Sequence, residues 1–166
     1  KILTPKTTFA VLVAAHNESA VIGQLVKNLL DLDYPKEFYD VFVIADNCTD
    51  DTAKVAADAG AIVCERTNDV EKGKGFALEW MFAKLYKMEK QYDVVAVFDA
   101  DNLVHPKFLL EMNNRFCKGD QVVQGYLDAK NPYDTWVSGT FAIAFWVIDR
   151  LYHLAKTNIG LSSVLG

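Results

Sequence analysis

The chain has 166 residues, of which 51% are hydrophobic and 23% charged, and its 17 basic and 22 acidic side chains leave a net charge of −5. That composition excludes a disordered or fibrous chain and lacks the basic footprint of a nucleic-acid binder. It leaves room for a nucleotide ligand, because a divalent cation can bring the positive charge locally.

Phe9 to Ala15 is a short, wholly apolar run and reads as a strand buried on both faces. His16-Asn17-Glu18-Ser19 breaks it. Val21, Ile22, Leu25, Val26, Leu29 and Leu30 then recur three and four apart, the spacing of a helix with one apolar face, which Asp33-Tyr34-Pro35 ends. Tyr39 to Ala45 is a second buried strand. After the polar loop Asp46 to Asp51, a helix capped by Thr49 or Asp50 runs to about Ala59, with Gly60 as its stop. Ala61 to Glu65 is a third strand and Thr67 to Gly75 a loop. Phe76 to Met88 is a helix with Phe76, Trp80, Leu85 and Met88 facing the core. Val94 to Phe98 is a fourth strand, and Pro106 opens a helix over Lys107 to Phe116. Val122 to Tyr126 reads as a fifth strand and Pro132 to Leu154 as mostly helix, with Trp136, Phe141, Phe145 and Trp146 packed in the core. Strand–helix–strand alternation of this kind predicts a three-layer α/β domain with a mainly parallel sheet.

Ligands of such sheets bind beyond the carboxyl ends of the strands. There the chain places His16-Asn17-Glu18, Asp46-Asn47, Lys72-Gly73-Lys74-Gly75 and Asp99-Ala100-Asp101-Asn102. Asp99 and Asp101 flank one residue and can converge on a hard cation, since Mg²⁺ or Mn²⁺ takes one or two carboxylates plus substrate phosphates; alone, the pair also serves as a turn. The EF-hand loop is excluded, because its glycine and its twelfth-position glutamate are missing. Asp46 can accept a hydrogen bond from the imide of a base such as uracil, or cap a helix. Lys74 lies between two glycines, which allow close backbone approach, and a lysine neutralises phosphate. Neither a P-loop nor a dinucleotide fingerprint is present. His16 fits a backbone contact better than a metal ligand. Glu18 suits either the nucleoside or the first turn of a helix, and His105 either the metal or the turn before Pro106.

The three cysteines, Cys48, Cys64 and Cys117, are widely spaced and read as reduced thiols of a cytoplasmic protein. Asn47-Cys48-Thr49 matches a glycosylation sequon and is read as coincidence. No signal peptide is visible, and both ends read as cuts in a longer protein. The most apolar run, Phe141 to Ile148, is far shorter than the roughly 18 residues of a membrane span, so membrane association is expected only through a further C-terminal part.

Together, in this order and spacing, four segments resemble family 2 glycosyltransferases of the GT-A fold. They are Val11 to Glu18, Val43 to Ala53, Lys72 to Leu78 and Phe98 to Asn102. The resemblance covers the chain from Phe9 onward and implies a single α/β/α, Rossmann-like GT-A domain over residues 1–166, truncated on its C-terminal side. It implies that Ala14, Ala15, His16, Asn17, Glu18 and Asn47 lie at the nucleoside, that Asp46 binds uracil, and that Lys74 lies near the diphosphate or sugar. Asp99, Ala100 and Asp101 would lie at the ribose, sugar and metal, Asp101 being the principal ligand of Mg²⁺ or Mn²⁺ and Asp99 the second. The implied activity is inverting transfer of a sugar from a UDP-sugar to a hydroxyl of a carbohydrate or lipid-linked acceptor in polysaccharide, lipid or cell-envelope glycan synthesis, in the cytoplasm or at the cytoplasmic face of the membrane. The family's acceptor base lies in a later motif, often Glu-Asp, so the catalytic base is expected beyond Gly166. Gln124 and residues 128–136 would lie on the acceptor side. Two other classes fit parts of the pattern: a nucleotidyltransferase, which would carry a glycine-rich basic loop where His16-Asn17-Glu18 stands, and a non-catalytic nucleotide-sugar-binding module.

Overall fold

A strand with apolar side chains on both faces needs cover on both, and the interior of a parallel sheet provides it. Phe9–Ala15 (β1) meets that condition, with every residue except Ala14 buried. The computed structural model describes residues 3–125 together with Trp136 and Thr140. By its contacts the chain falls into two units, Lys1–Gln121 and Val122–Gly166, and the architecture below is that of the first.

β1 lies between β2 (Tyr39–Asp46) and β4 (Val94–Asp99), and β3 (Ile62–Arg66) pairs outside β2, giving the order β3-β2-β1-β4 with every pairing parallel. The register sets Ala15 beside Ala45, Ala14 beside Asp99 and Asp46 beside Arg66. The chain steps one way from β1 to β3 and then returns to the other side of β1. With right-handed crossovers, that reversal puts the helix before β4 on the opposite face from the earlier ones. It also opens a crevice between the carboxyl ends of β1 and β4.

The packing follows this rule. Phe9, Val11 and Val13 pack with Ile22, Leu25, Val26 and Leu29 of α1 (Ile22–Leu30), Ala56 of α2 (Thr52–Asp58) and Leu109 of α4 (Phe108–Phe116). Ala10 and Leu12 point the other way and pack with Phe42, Ile44 and Ala77, Met81 and Leu85 of α3 (Lys74–Leu85). The three-layer α/β/α arrangement is therefore as expected. α3 covers β1 and β2 and leaves Val95 and Val97 of β4 partly exposed on that face.

Before β1, the arm from Leu3 to Thr8 is fastened by side chains. The fully buried amide of Asn113 accepts the N–H groups of Lys6 and Thr7, both at 3.2 Å, and donates to the Thr4 carbonyl. Asn114 accepts the N–H of Leu3 at 2.8 Å. The Tyr34 hydroxyl donates to the Thr7 carbonyl at 2.8 Å, and burial pushes its pKa up to about 12.

Three expectations are corrected. α3 starts at Lys74, two residues before Phe76, and Phe76 is exposed rather than in the core. The helix phase is set by Ala77, Met81 and Leu85, and the preceding position is turned about 100° away from them. Trp80 and Met88 are partly buried, Met88 past the helix end. Residues Val122–Gly125 form no strand. Trp136 is helical and exposed rather than in the core, and its carbonyl accepts the Thr140 hydroxyl; at an exposed position the indole N–H stays hydrated. Tyr126 and the remaining residues of the expected Pro132–Leu154 helix, Phe141, Phe145 and Trp146 among them, lie outside the described residues.

Candidate functional site

The loops after β1 and β2 are stitched to each other. Asn17 takes φ +56°, a left-handed conformation that asparagine tolerates better than most residues, and its Oδ1 accepts the Thr49 N–H at 2.8 Å. The backbone N–H of Glu18 donates to Thr52 Oγ1 at 2.8 Å, and that of Ser19 to Asp50 Oδ2 at 3.2 Å. Asp50 also accepts the hydroxyl and the N–H of Thr52, the first residue of α2, but the N-cap position is Asp51 rather than the expected Thr49 or Asp50. The Thr52 hydroxyl, then Ser19, holds the Asp50 carboxyl well below the usual carboxylate range. His16 makes the backbone contact expected of it, its Nδ1 lying 2.7 Å from the Asp46 carbonyl oxygen.

Asp46 is buried, and its neighbour across the sheet is a buried arginine. Arg66 Nη1 donates to Asp46 Oδ1 at 2.7 Å, while Nη2 donates to the Glu71 carbonyl at 2.8 Å. Asn47, at φ +51°, donates from Nδ2 to the same Asp46 Oδ1 at 3.1 Å and accepts the Asn68 N–H at 2.8 Å. The other carboxylate oxygen, Oδ2, has no partner among the described residues. A buried charge is tolerable only when paired and hydrogen-bonded, and here the pairing also fixes which oxygen remains available. Arg66 was not among the sequence candidates. Its signal is a charged residue closing an apolar strand, one position past the expected end of that strand.

Arg66 and Asn68 shape the loop that leads to Gly73, whose φ of +107° suits glycine, and then to Lys74, the first residue of α3. The two loop systems enclose a cleft of about 630 Å³ at the carboxyl edge of the sheet. Ala14, Ala15, His16, Asp46, Asn47 and Lys74 are on its wall. So are Cys48, Thr49, Thr67, Asp69 and Lys72, outside the expected set. Asn17, Glu18, Asp99, Ala100 and Asp101 are not on its wall.

At the end of β4 the buried side chain of Ala100 anchors a turn whose flanking carboxylates, Asp99 and Asp101, are exposed. Asn102 closes the turn: its Oδ1 accepts the Asp99 N–H at 3.0 Å, and its N–H donates to the Asp99 carbonyl. Lys74 Nζ pairs with Asp99 Oδ1, which joins the cleft wall to the acidic turn. His105 Nδ1 accepts the Lys107 N–H at 3.2 Å, so its imidazole is engaged in the turn that precedes α4. Among the described residues no three His, Cys, Asp or Glu side chains cluster as a metal cage. Two exposed carboxylates at a strand end suit a hard cation only when phosphate oxygens and water complete its shell, which is how Mg²⁺ is usually bound. The three cysteines are free, as expected.

A family model described as "Glycosyltransferase like family 2" matches residues 5–159. The beta-monoglucosyldiacylglycerol synthase of Nostoc sp. (strain PCC 7120) is 34% identical over 160 residues, covering 91% of this chain and 32% of that protein. The low-salt glycan biosynthesis hexosyltransferase Agl6 of Haloferax volcanii is 32% identical over 114 residues, covering 68% of this chain and 25% of that protein. The chain thus spans about a third or less of the length of these relatives. Among solved structures, glucosyl-3-phosphoglycerate synthase from Mycobacterium tuberculosis with Mn²⁺, UDP and phosphoglyceric acid aligns with TM-score 0.55 and 27% identity, over 70% of this chain and 41% of that one. A mannosyltransferase from Pyrobaculum calidifontis with GDP-Man and Mn²⁺ shares the fold, with TM-score 0.60 and 21% identity, over 81% of this chain and 39% of that one.

Proposed function

The chain belongs to the glycosyltransferase-like family 2, and from that premise we propose that it is the donor-binding part of a metal-dependent, inverting glycosyltransferase that moves a sugar from a UDP-sugar to an acceptor hydroxyl. The observation that carries this reading is Asp46. One of its oxygens is fixed by Arg66 and Asn47, and the other has no partner among the described residues, in a cleft wide enough for a nucleoside. A carboxylate oxygen held this way accepts the imide N–H of uracil. Ala14 and Ala15 present backbone and methyl groups beside it, and His16, Asn17, Glu18 and Asn47 order the surrounding loops.

Asp101 and Asp99 are the residues that would hold Mg²⁺ or Mn²⁺, with Ala100 as their anchor. When bound, the cation supplies positive charge that stabilises the diphosphate leaving group. Lys74 adds a second positive charge at the same end of the cleft. Residues 1–166 are proposed to form part of one GT-A domain. The acceptor is assigned to the carbohydrate or lipid-linked class, a reading supported by the names of the relatives, and no nucleic-acid partner is assigned. Among the described residues no helix is long and apolar enough to cross a membrane. A place at the cytoplasmic face of the membrane is proposed on the lipid named in the Nostoc relative.

The test is calorimetry of the 166-residue chain with UDP, GDP and CDP, each with and without Mn²⁺. UDP is expected to bind only with Mn²⁺. CDP, whose ring nitrogen at the imide position accepts rather than donates, should bind roughly tenfold or more weaker, as an unmet buried polar group costs about 1–3 kcal/mol. Equal affinity for the three nucleotides would remove Asp46 as the base-reading residue.

A further inference from the structure

The Lys74–Asp99 pair joins a cleft-wall residue to a carboxylate that is not on that wall. Both side chains are about half in solvent, 47% and 60% exposed. An exposed pair of this kind contributes about 0–1 kcal/mol, so it opens readily. Its position nevertheless has consequences for a cation. The acidic turn offers two carboxylates, and one of them is already neutralised by an ammonium. A divalent ion approaching Asp99 loses part of the attraction and meets a like charge close by. A diphosphate in the cleft gives the ammonium an alternative partner.

We propose that Lys74 and the divalent cation exchange on Asp99. Without a nucleotide, Lys74 holds Asp99 and keeps the cation off. When the diphosphate enters, Lys74 transfers to a phosphate oxygen, Asp99 is released to the cation, and donor and metal bind as a coupled pair. No covalent bond changes: one ion pair opens, and two contacts to the diphosphate form. This rests on the reading of Asp99 and Asp101 as the metal-holding pair.

The exchange gives Lys74→Met two effects of opposite sign, which a merely structural lysine would not produce. Mn²⁺ binding is measured by loss of the free-ion electron paramagnetic resonance signal, first with Mn²⁺ alone and then with UDP present; circular dichroism confirms that each variant is folded. Lys74→Met is expected to bind Mn²⁺ alone about fivefold more tightly, the release of an exposed pair, and to bind Mn²⁺ in the presence of UDP more weakly than the wild type. Lys74→Arg should restore both values toward wild type. Lys87→Met, which removes an exposed lysine just past α3 and off the cleft wall, should leave Mn²⁺ binding without nucleotide unchanged; equal tightening there would mean a general charge effect and overturn the exchange. If Asp99→Ala and Asp101→Ala lose UDP-dependent Mn²⁺ binding but Lys74→Met binds Mn²⁺ alone no more tightly than wild type, the metal assignment stands and the exchange fails. If both aspartate variants bind like wild type, the metal assignment fails and takes the exchange with it.

Discussion

A carboxylate that must read a base has to be desolvated, oriented and still left with a free oxygen. Arg66 orients the buried carboxylate of Asp46, whose Oδ2 has no partner among the described residues, so the two residues act as one unit in the proposed base-reading role. Removing one member of a buried pair leaves the other charge uncompensated, which costs about 3–5 kcal/mol. Arg66→Met should therefore lower unfolding free energy by roughly 3 kcal/mol in urea titrations, and UDP affinity should fall in calorimetry below the unfolding range. Asp50 acts on the same loops from outside. Its carboxyl is held low by Thr52 and Ser19, and a group depressed by folding adds stability above its unfolded pKa near 4, which is lost as pH falls below that value. Asp50→Asn should thus lower the urea midpoint at pH 7 and narrow the difference between variant and wild type as pH falls from about 4 to below 3. The aspartates were legible in the sequence because each directly follows an apolar strand. Arg66 was not, because its role appears only once parallel pairing sets it beside Asp46.

At the scale of elements, loops order the site and helices only start from it. α3 begins at Lys74 because Gly73 takes φ +107° just before it. An added Cβ at Gly73 meets nothing within 4 Å, so the strain of a side chain there is purely conformational. Gly73→Ala is expected to cost about 1–2 kcal/mol and to shift Lys74 away from Asp99, visible as a lower melting temperature together with altered Mn²⁺ binding. Strands and helices up to residue 116 were legible because their apolar periods, two-faced in β1 and three-to-four in α1, are strong. The strand order was not, since periodicity says which faces are buried and nothing about which strand lies beside which. Phase also misled at Phe76: an aromatic at a helix start reads as core, but Ala77, Met81 and Leu85 fix the inward face.

Across the whole molecule, the weakly acidic charge and the acidic turn make a cation the natural companion of a diphosphate. Length and composition alone left room for a nucleotide ligand and identified none, because specificity resides in hydrogen-bond direction at a few oxygens. The parallel register carries one more consequence. Asp46 and Asp99 end strands separated by β1, two interstrand steps apart, and Asp46 lies two residues further along the register. Their backbones are thus roughly 12 Å apart, a separation fixed by sheet geometry rather than by loops. The sheet works as a ruler: a nucleoside placed at Asp46 reaches the acidic turn only through a second phosphate. UMP titrated into the chain should bind with the same affinity whether or not Mn²⁺ is present, while UDP should not.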